Sequence, residues 1–235
     1  MKTKFALVIF IALSLPLAVK SQTAEEIVKN YAQALGGAEA WKKLQSMSMQ
    51  GRVVMQGMEM PTTIRIRRPS FFYQEISFMG KNIIQATDGS SGWYVNPFMG
   101  NEKPQLMKPE EVEELKKGGQ MDDELMFYKE KNGKISLEGE EIVEGIPCYV
   151  VALSFGADNT SKYFIDKELW LPVKQVSQKK SEDAVEQWFY DYRSVEGKWV
   201  PFRMVQKMKG EILSEILVQK VEFDSVPDEK IFKMP

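Results

Sequence analysis

The sequence predicts a mainly β protein with a few α-helices: a strongly curved antiparallel sheet of about 11 strands. Three observations predict it. From Ser46 onward apolar residues recur at every second position through most of the chain. Short turn signals, among them Asp88-Gly89, Glu144-Gly145, Glu196-Gly197 and Lys209-Gly210, separate these runs. Helical periodicity is confined to the start and to a charged middle segment, too little to cover such a sheet with a second full layer. A sheet this wide must twist and curl, so the economical solution is a bent, partly barrel-like surface with the helices across its hollow side.

The chain opens MKTKFALVIFIALSLPLAVKSQ. A charged start and an apolar run over Phe5 to Val19, too short for a membrane span, read as a secretory signal peptide of residues 1–21. Cleavage after Ser21 leaves residues 22–235 as a single domain. No cysteine lies near that site, which argues against an N-terminal lipid anchor.

TAEEIVKNYAQALGG has both helix ends marked. Thr23 and Glu26 have capping-box spacing, Ile27, Tyr31, Ala34 and Leu35 share one side, and Gly36-Gly37 stop it. AEAWKKL offers a second short turn with Trp41 and Leu44 as packing anchors. In SMSMQGRVVM, Met47, Met49, Val53 and Met55 point one way, the pattern of a half-buried strand. Strands follow over Met60–Arg68, Phe71–Met79, Asn82–Thr87 and Trp93–Asn96. Residues 101–131 form a charged, partly helical insertion, with Pro109 in a first turn, Gly118-Gly119 at a helix end, and Met121–Glu130 as a further short helix. Strands resume at Lys134, and seven are expected over 134–139, 146–154, 160–166, 171–179, 184–193, 198–208 and 212–224.

Composition removes several functions. There is no histidine, which excludes Ser-His-Asp and Cys-His catalysis and the usual histidine zinc sites. No phosphate loop or dinucleotide fingerprint occurs, so no cofactor is expected. The net charge is −2, and without Lys2, Lys4 and Lys20 it is 28 basic against 33 acidic residues, or −5. The two signs are interspersed, which gives no support to a nucleic-acid partner. Cys148 is the sole cysteine and sits in the apolar run IPCYVVAL, as a core residue would. Asp122-Asp123, Glu140-Glu141 and Glu182-Asp183 read as solvated loop charges rather than a catalytic pair. An enzyme is not expected.

Parity singles out one arginine. Ile64, Ile66 and Arg68 share a strand face, and Thr63, Arg65 and Arg67 share the other. Arg68 is the charged member of the apolar face, at the strand end before Pro69. From the residues alone it is either an exposed strand-end arginine or a donor to loop carbonyls and helix ends. Arg65 and Arg67 read as solvated. Phe72, Ile76 and Phe78 form another same-face set. Met204 shares a face with Val200, Phe202 and Met208. Trp188, Tyr190 and Tyr192 form an aromatic face, as pocket wall or as packing.

The stretch TTIRIRRPSFFYQEISFMGKNIIQATDGSSGWYVNPF, residues 62–98, resembles the LolA-type periplasmic lipoprotein carriers. Arg68, Pro69, Phe72, Asp88, Gly89, Trp93, Asn96, Pro97 and Phe98 fall in register with that family's pattern. The insertion at 101–131 looks longer than the carriers' equivalent, and the C-terminal half carries no matching motif. The resemblance implies an unclosed β-barrel with a helical lid over an apolar cavity that shields acyl chains during transfer toward the outer membrane. It implies that Arg68 latches the lid by hydrogen bonds. The candidate cavity lining is Met47, Met49, Val53, Met55, Ile64, Ile66, Phe72, Ile76, Phe78, Trp93, Phe202 and Met204. The expected partners are acyl chains of lipoproteins or other lipids, with donor and acceptor membrane proteins, for a monomer in the periplasm. A lipid-sensing envelope module of the same fold is the alternative.

Overall fold

The computed structural model describes residues 22–156, 159–179, 183–225 and 228–235. The expected signal peptide therefore lies outside the described residues, as does Glu182. Helix α1 (Ala24–Ala34) begins with a capping box, the Thr23 hydroxyl accepting from Glu26 N and the Glu26 carboxylate from Thr23 N. Helix α2 (Ala38–Lys43) follows at once. Gly36 stands at a positive φ of 107°, and a Cβ there would lie 2.6 Å from the Gly197 carbonyl oxygen. Only glycine lets α1 end against that turn.

Thirteen strands form one antiparallel sheet: β1 (Ser46–Met55), β2 (Met58–Arg67), β3 (Phe71–Phe78), β4 (Lys81–Thr87), β5 (Gly92–Asn96), β6 (Asn101–Leu106), β7 (Lys134–Val143), β8 (Ile146–Ser154), β9 (Asn159–Asp166), β10 (Pro172–Lys179), β11 (Val185–Val195), β12 (Lys198–Met208) and β13 (Glu211–Phe223). The spatial order is β6-β5-β4-β3-β2-β1-β13-β12-β11-β10-β9-β8-β7. The chain starts mid-sheet at β1, meanders out to one edge at β6, crosses to the opposite edge at β7, and meanders back until β13 pairs with β1. The sheet does not close, because β6 and β7 are its two edges. The expected antiparallel, unclosed architecture is present with more strands than expected. Part of the difference is β6, NEKPQL, whose charges and Pro104 read as a loop. A proline is tolerated there because an edge strand has unpaired amides on one side.

Register carries one face across all the strands. Phe72 pairs with Ile66, Ile66 with Met47, and Met47 with Phe223. Val53 pairs with Ile216, Ile216 with Met204, and Met204 with Phe189. On the same face, Gln187 of β11 pairs with Gln175, from which Tyr163, Val151 and Leu137 continue in line. This inner face bears both large cores. One joins Ile27, Val28 and Tyr31 of α1 to Val151, Leu153, Tyr163 and Ile165. The other joins Trp41 and Leu44 to Ile64, Ile66, Phe72, Val200 and Phe202.

The segment from β6 to β7 spans both cores. It opens with α3 (Pro109–Gly118), whose Val112 is buried close to Gly92. Leu115 and Met121 then pack on the second core, and Leu125 and Tyr128 on the first. The short helix expected over Met121–Glu130 is instead a series of turns. The Asp123 side chain takes the Met126 amide at 2.6 Å, a local bond that competes with helix continuation.

The outer face is also partly apolar. Tyr73, Ala86 and Trp93 pack under Phe232 of a C-terminal 3₁₀ turn, Glu229–Phe232. Trp188 and Tyr190 are covered by cations, with Lys207 Nζ 4.4 Å from the Trp188 ring and Arg203 4.8 Å from Tyr190.

Candidate functional site: a lid over the inner face

Arg68 follows the last residue of β2 and reaches three groups on two elements. Its Nε donates to the Leu44 carbonyl at 2.7 Å. Its Nη2 donates to the Trp41 carbonyl at 3.2 Å and to Asp122 Oδ1 at 2.6 Å. The carbonyls at the C-terminus of α2 carry partial negative charge, so a guanidinium suits them, and the Trp41 carbonyl accepts from Arg68 as well as from the Leu44 amide at 3.2 Å. Asp122 belongs to the crossing segment. One strand-end arginine therefore joins the sheet, α2 and the lid.

The fit beneath the lid is close. A Cβ on Gly118 would come 3.0 Å from the Phe72 ring, and one on Gly119 would meet the Ser70 carbonyl oxygen at 3.0 Å. Next to Asp122, Asp123 turns inward to α1, accepting from the Tyr31 hydroxyl at 2.8 Å. The reading of Asp122-Asp123 as solvated loop charges is corrected: both are engaged, one by Arg68 and one by Tyr31. Their electrostatics diverge. The hydrogen bond from Arg68 holds the Asp122 carboxyl below the usual carboxylate range. Burial pushes the Asp123 carboxyl up, against the two bonds it accepts. Burial also keeps the Tyr31, Tyr163 and Tyr192 hydroxyls protonated, well above their ordinary range.

Between the two cores lies a cavity of about 250 Å³. Its roof is Tyr31, Trp41, Met121 and Met126, and its floor includes Tyr163, Phe189, Tyr192 and Val200. A second cavity of about 550 Å³ shares Pro172, Phe189, Tyr192 and Trp199 with the first and opens past Leu169. A third, of about 660 Å³, lies between α3 and β4–β5. Among the described residues no group of three acidic or cysteine side chains is placed to hold a metal ion. Cys148 is fully buried, and burial raises its thiol to about 11. Such an arrangement can enclose apolar matter, with Asp122 and Asp123, bonded to Arg68 and Tyr31, as the charged groups at the edge of the first cavity.

Solved structures with this geometry place it. A LolA superfamily protein from Nitrosomonas europaea is 13% identical over 91% of this chain and 98% of its own, with a TM-score of 0.58. The two share a fold. A DUF1329 family protein from Desulfovibrio piger is 12% identical over 91% and 98%, with a TM-score of 0.58. A protein domain assigned to outer membrane lipoprotein sorting, from Vibrio parahaemolyticus, is 12% identical over 89% and 97%, with a TM-score of 0.55. A family model with the description "Uncharacterized protein" matches residues 121–234. No curated protein matches the sequence. No described helix is long and apolar enough to cross a membrane.

The structure places the expected lining residues as follows. Ile64, Ile66, Phe72 and Phe202 are buried in the second core, with Met47, Met49 and Met204 packed against it. Val53 is buried farther along β1, and Met55 is exposed at its end. Ile76 and Phe78 are half-buried, and the Phe78 ring meets Phe98 at 5.2 Å. Trp93 is on the outer face, where its indole donates to the Phe232 carbonyl at 3.2 Å. None of these borders the first or the second cavity. The space sits toward β9–β12, lined by aromatics that sequence reasoning left undecided. Trp188 and Tyr190 face outward, whereas Tyr192 lies under α1. Asp191 between them has a positive φ of 52°. Arg65 lies over the Tyr73 ring at 5.4 Å, and Arg67 pairs with Glu229 at 3.4 Å.

Proposed function

We propose that the protein binds acyl chains of lipids or lipoproteins under its lid and carries them across the bacterial periplasm, with residues 1–21 as a cleaved secretory signal and no catalytic role. The observation that carries this reading is the triple hydrogen bonding of Arg68, which fastens a lid over an apolar space with bonds that can be exchanged for water. The central cavity is smaller than the ~300–1,000 Å³ of ordinary ligand sites. A full chain therefore needs the lid raised, or the neighbouring space, or both.

The energies suit reversible carriage. Burying hydrocarbon gains about 0.8 kcal/mol per methylene, so a chain of about 16 carbons gains roughly 10 kcal/mol before costs. Each charged hydrogen bond surrendered by the latch offsets about 1–3 kcal/mol. A closed empty state and an open filled state can then exchange. Lipoprotein sorting in the Vibrio relative's description is consistent with such cargo.

Native mass spectrometry of gently purified protein tests the reading. Co-purifying acyl lipid, released on denaturation, is the expected result. Protein that carries no lipid, and that takes none up from labelled vesicles, overturns it. Delivery of a lipidated protein from donor to acceptor membranes separates a carrier from a sensor, which would bind and not deliver.

A further inference from the structure

The sheet is forked. β10 and β11 pair only from Lys174–Trp188 to Ser177–Val185. Beyond Lys174 their ladder stops, although both strands continue, to Pro172 and to Val195. Each strand carries a cause. Pro172 has no amide to donate, and the β9–β10 register shifts between Pro172 and Lys174. On β11, Asp191 takes a left-handed conformation that a regular strand does not use. Across the gap the Tyr192 hydroxyl donates to the Pro172 carbonyl at 3.0 Å. Pro172 and Tyr192, the two ends of this strap, border both the central cavity and the larger one, together with Phe189 and Trp199.

Resting on the acyl-binding reading above, we infer that a single straight acyl chain enters the interior through the sheet, between β10 and β11, with the Tyr192–Pro172 hydrogen bond as its gate. The lid then sets how much chain the interior holds, and the fork sets the way in. Leu169, 61% exposed, and Trp199, 41% exposed, stand at the outer mouth as apolar steps from water.

The charges select the chain's outer end. Glu144, Asp166 and Asp191 border the outer cavity, and neither cavity is lined by a lysine or arginine among the described residues. Asp166 is engaged by the amides of Glu168 and Leu169, and Asp191 by Arg193. A carboxylate or phosphate at the mouth would meet the Glu144 and Asp166 carboxylates, while Arg193 is taken up by Asp191 and Arg203 by Glu215. The occupant is therefore a chain whose outer end bears no negative charge, such as one joined through an amide or ester, and not a free fatty acid.

Stopped-flow uptake of the neutral probe N-dodecyl dansylamide by the full chain tests this. Tyr192→Phe keeps the ring and removes the strap; uptake should quicken about three- to tenfold, the equivalent of one neutral hydrogen bond. Leu169→Glu places a charge at an exposed mouth position; uptake should slow by about tenfold while the unfolding temperature stays unchanged. Dodecanamide should displace the probe, and ionised dodecanoate should do so at least about tenfold less well. Probe that binds with unchanged uptake in both variants overturns the fork and leaves the acyl-binding reading standing. Dodecanoate equal to dodecanamide overturns the charge selection. Wild-type protein that takes up no probe overturns both readings together.

Discussion

The Arg68 guanidinium lies 2.6 Å from the Asp122 carboxylate, 54 positions away along the chain. The same nitrogen reaches the Trp41 carbonyl, and Nε that of Leu44, so one substitution releases two elements from the sheet. Arg68→Leu should cost about 1–3 kcal/mol, because the stranded acceptors are partly exposed and can turn to water. In a domain of this size that is a fall of roughly 3–10 °C in the unfolding midpoint, read by calorimetry.

The two lid aspartates should pull stability in opposite directions with pH. Arg68 depresses Asp122, so the stability it gives is full above the ordinary aspartate pKa and is lost as pH falls through its own. Burial raises Asp123, so it penalises the folded state near neutrality, and that penalty lifts as it protonates. On acidification the unfolding midpoint should first rise and then fall. Asp123→Asn should abolish the rise, and Asp122→Asn should blunt the later fall, in midpoints recorded across the acid range.

Tyr31 is the other fastener. It is fully buried, and its hydroxyl bonds Asp123. Tyr31→Phe leaves that carboxyl with the Met126 amide as its remaining bond and should destabilise by about 1–3 kcal/mol in urea unfolding. Asp123 should also protonate at a still higher pH, which carboxyl-resolved NMR titration measures.

Phe232 has no exposed surface and closes the outer-face cluster over Trp93. Phe232→Ala should cost about 3–5 kcal/mol. The indole bond goes to the backbone oxygen of residue 232, so Trp93 emission should shift to the red only as its surroundings wet.

Much of the fold was legible because local chemistry agrees with it. The Thr23–Glu26 capping box, the Pro109 helix start and the alternation of β1, β8 and β12 each state their element. Parity also placed Met47, Ile64, Ile66 and Arg68 on the helix-bearing face. It could not say whether that face is open or filled, since this depends on Trp41, Leu44 and Met121 arriving from elsewhere in the chain. β6 was hidden because an edge strand needs no apolar alternation. The cavity was hidden because Asp191 breaks the parity that would otherwise put Tyr190 and Tyr192 on one face. Trp93 shows the reverse: it pairs with Ala86, and Ala86 with Tyr73, so register places it outside.

The central claim is that a latched lid covers space for an acyl chain. Equilibrium titration of wild-type protein and Arg68→Leu with the neutral dansyl probe tests it most directly. Both proteins should bind saturably, and Arg68→Leu should bind about tenfold more tightly or better, since about 1.4 kcal/mol of latch no longer opposes filling. No saturable binding in either protein, or equal affinity in both, would contradict it.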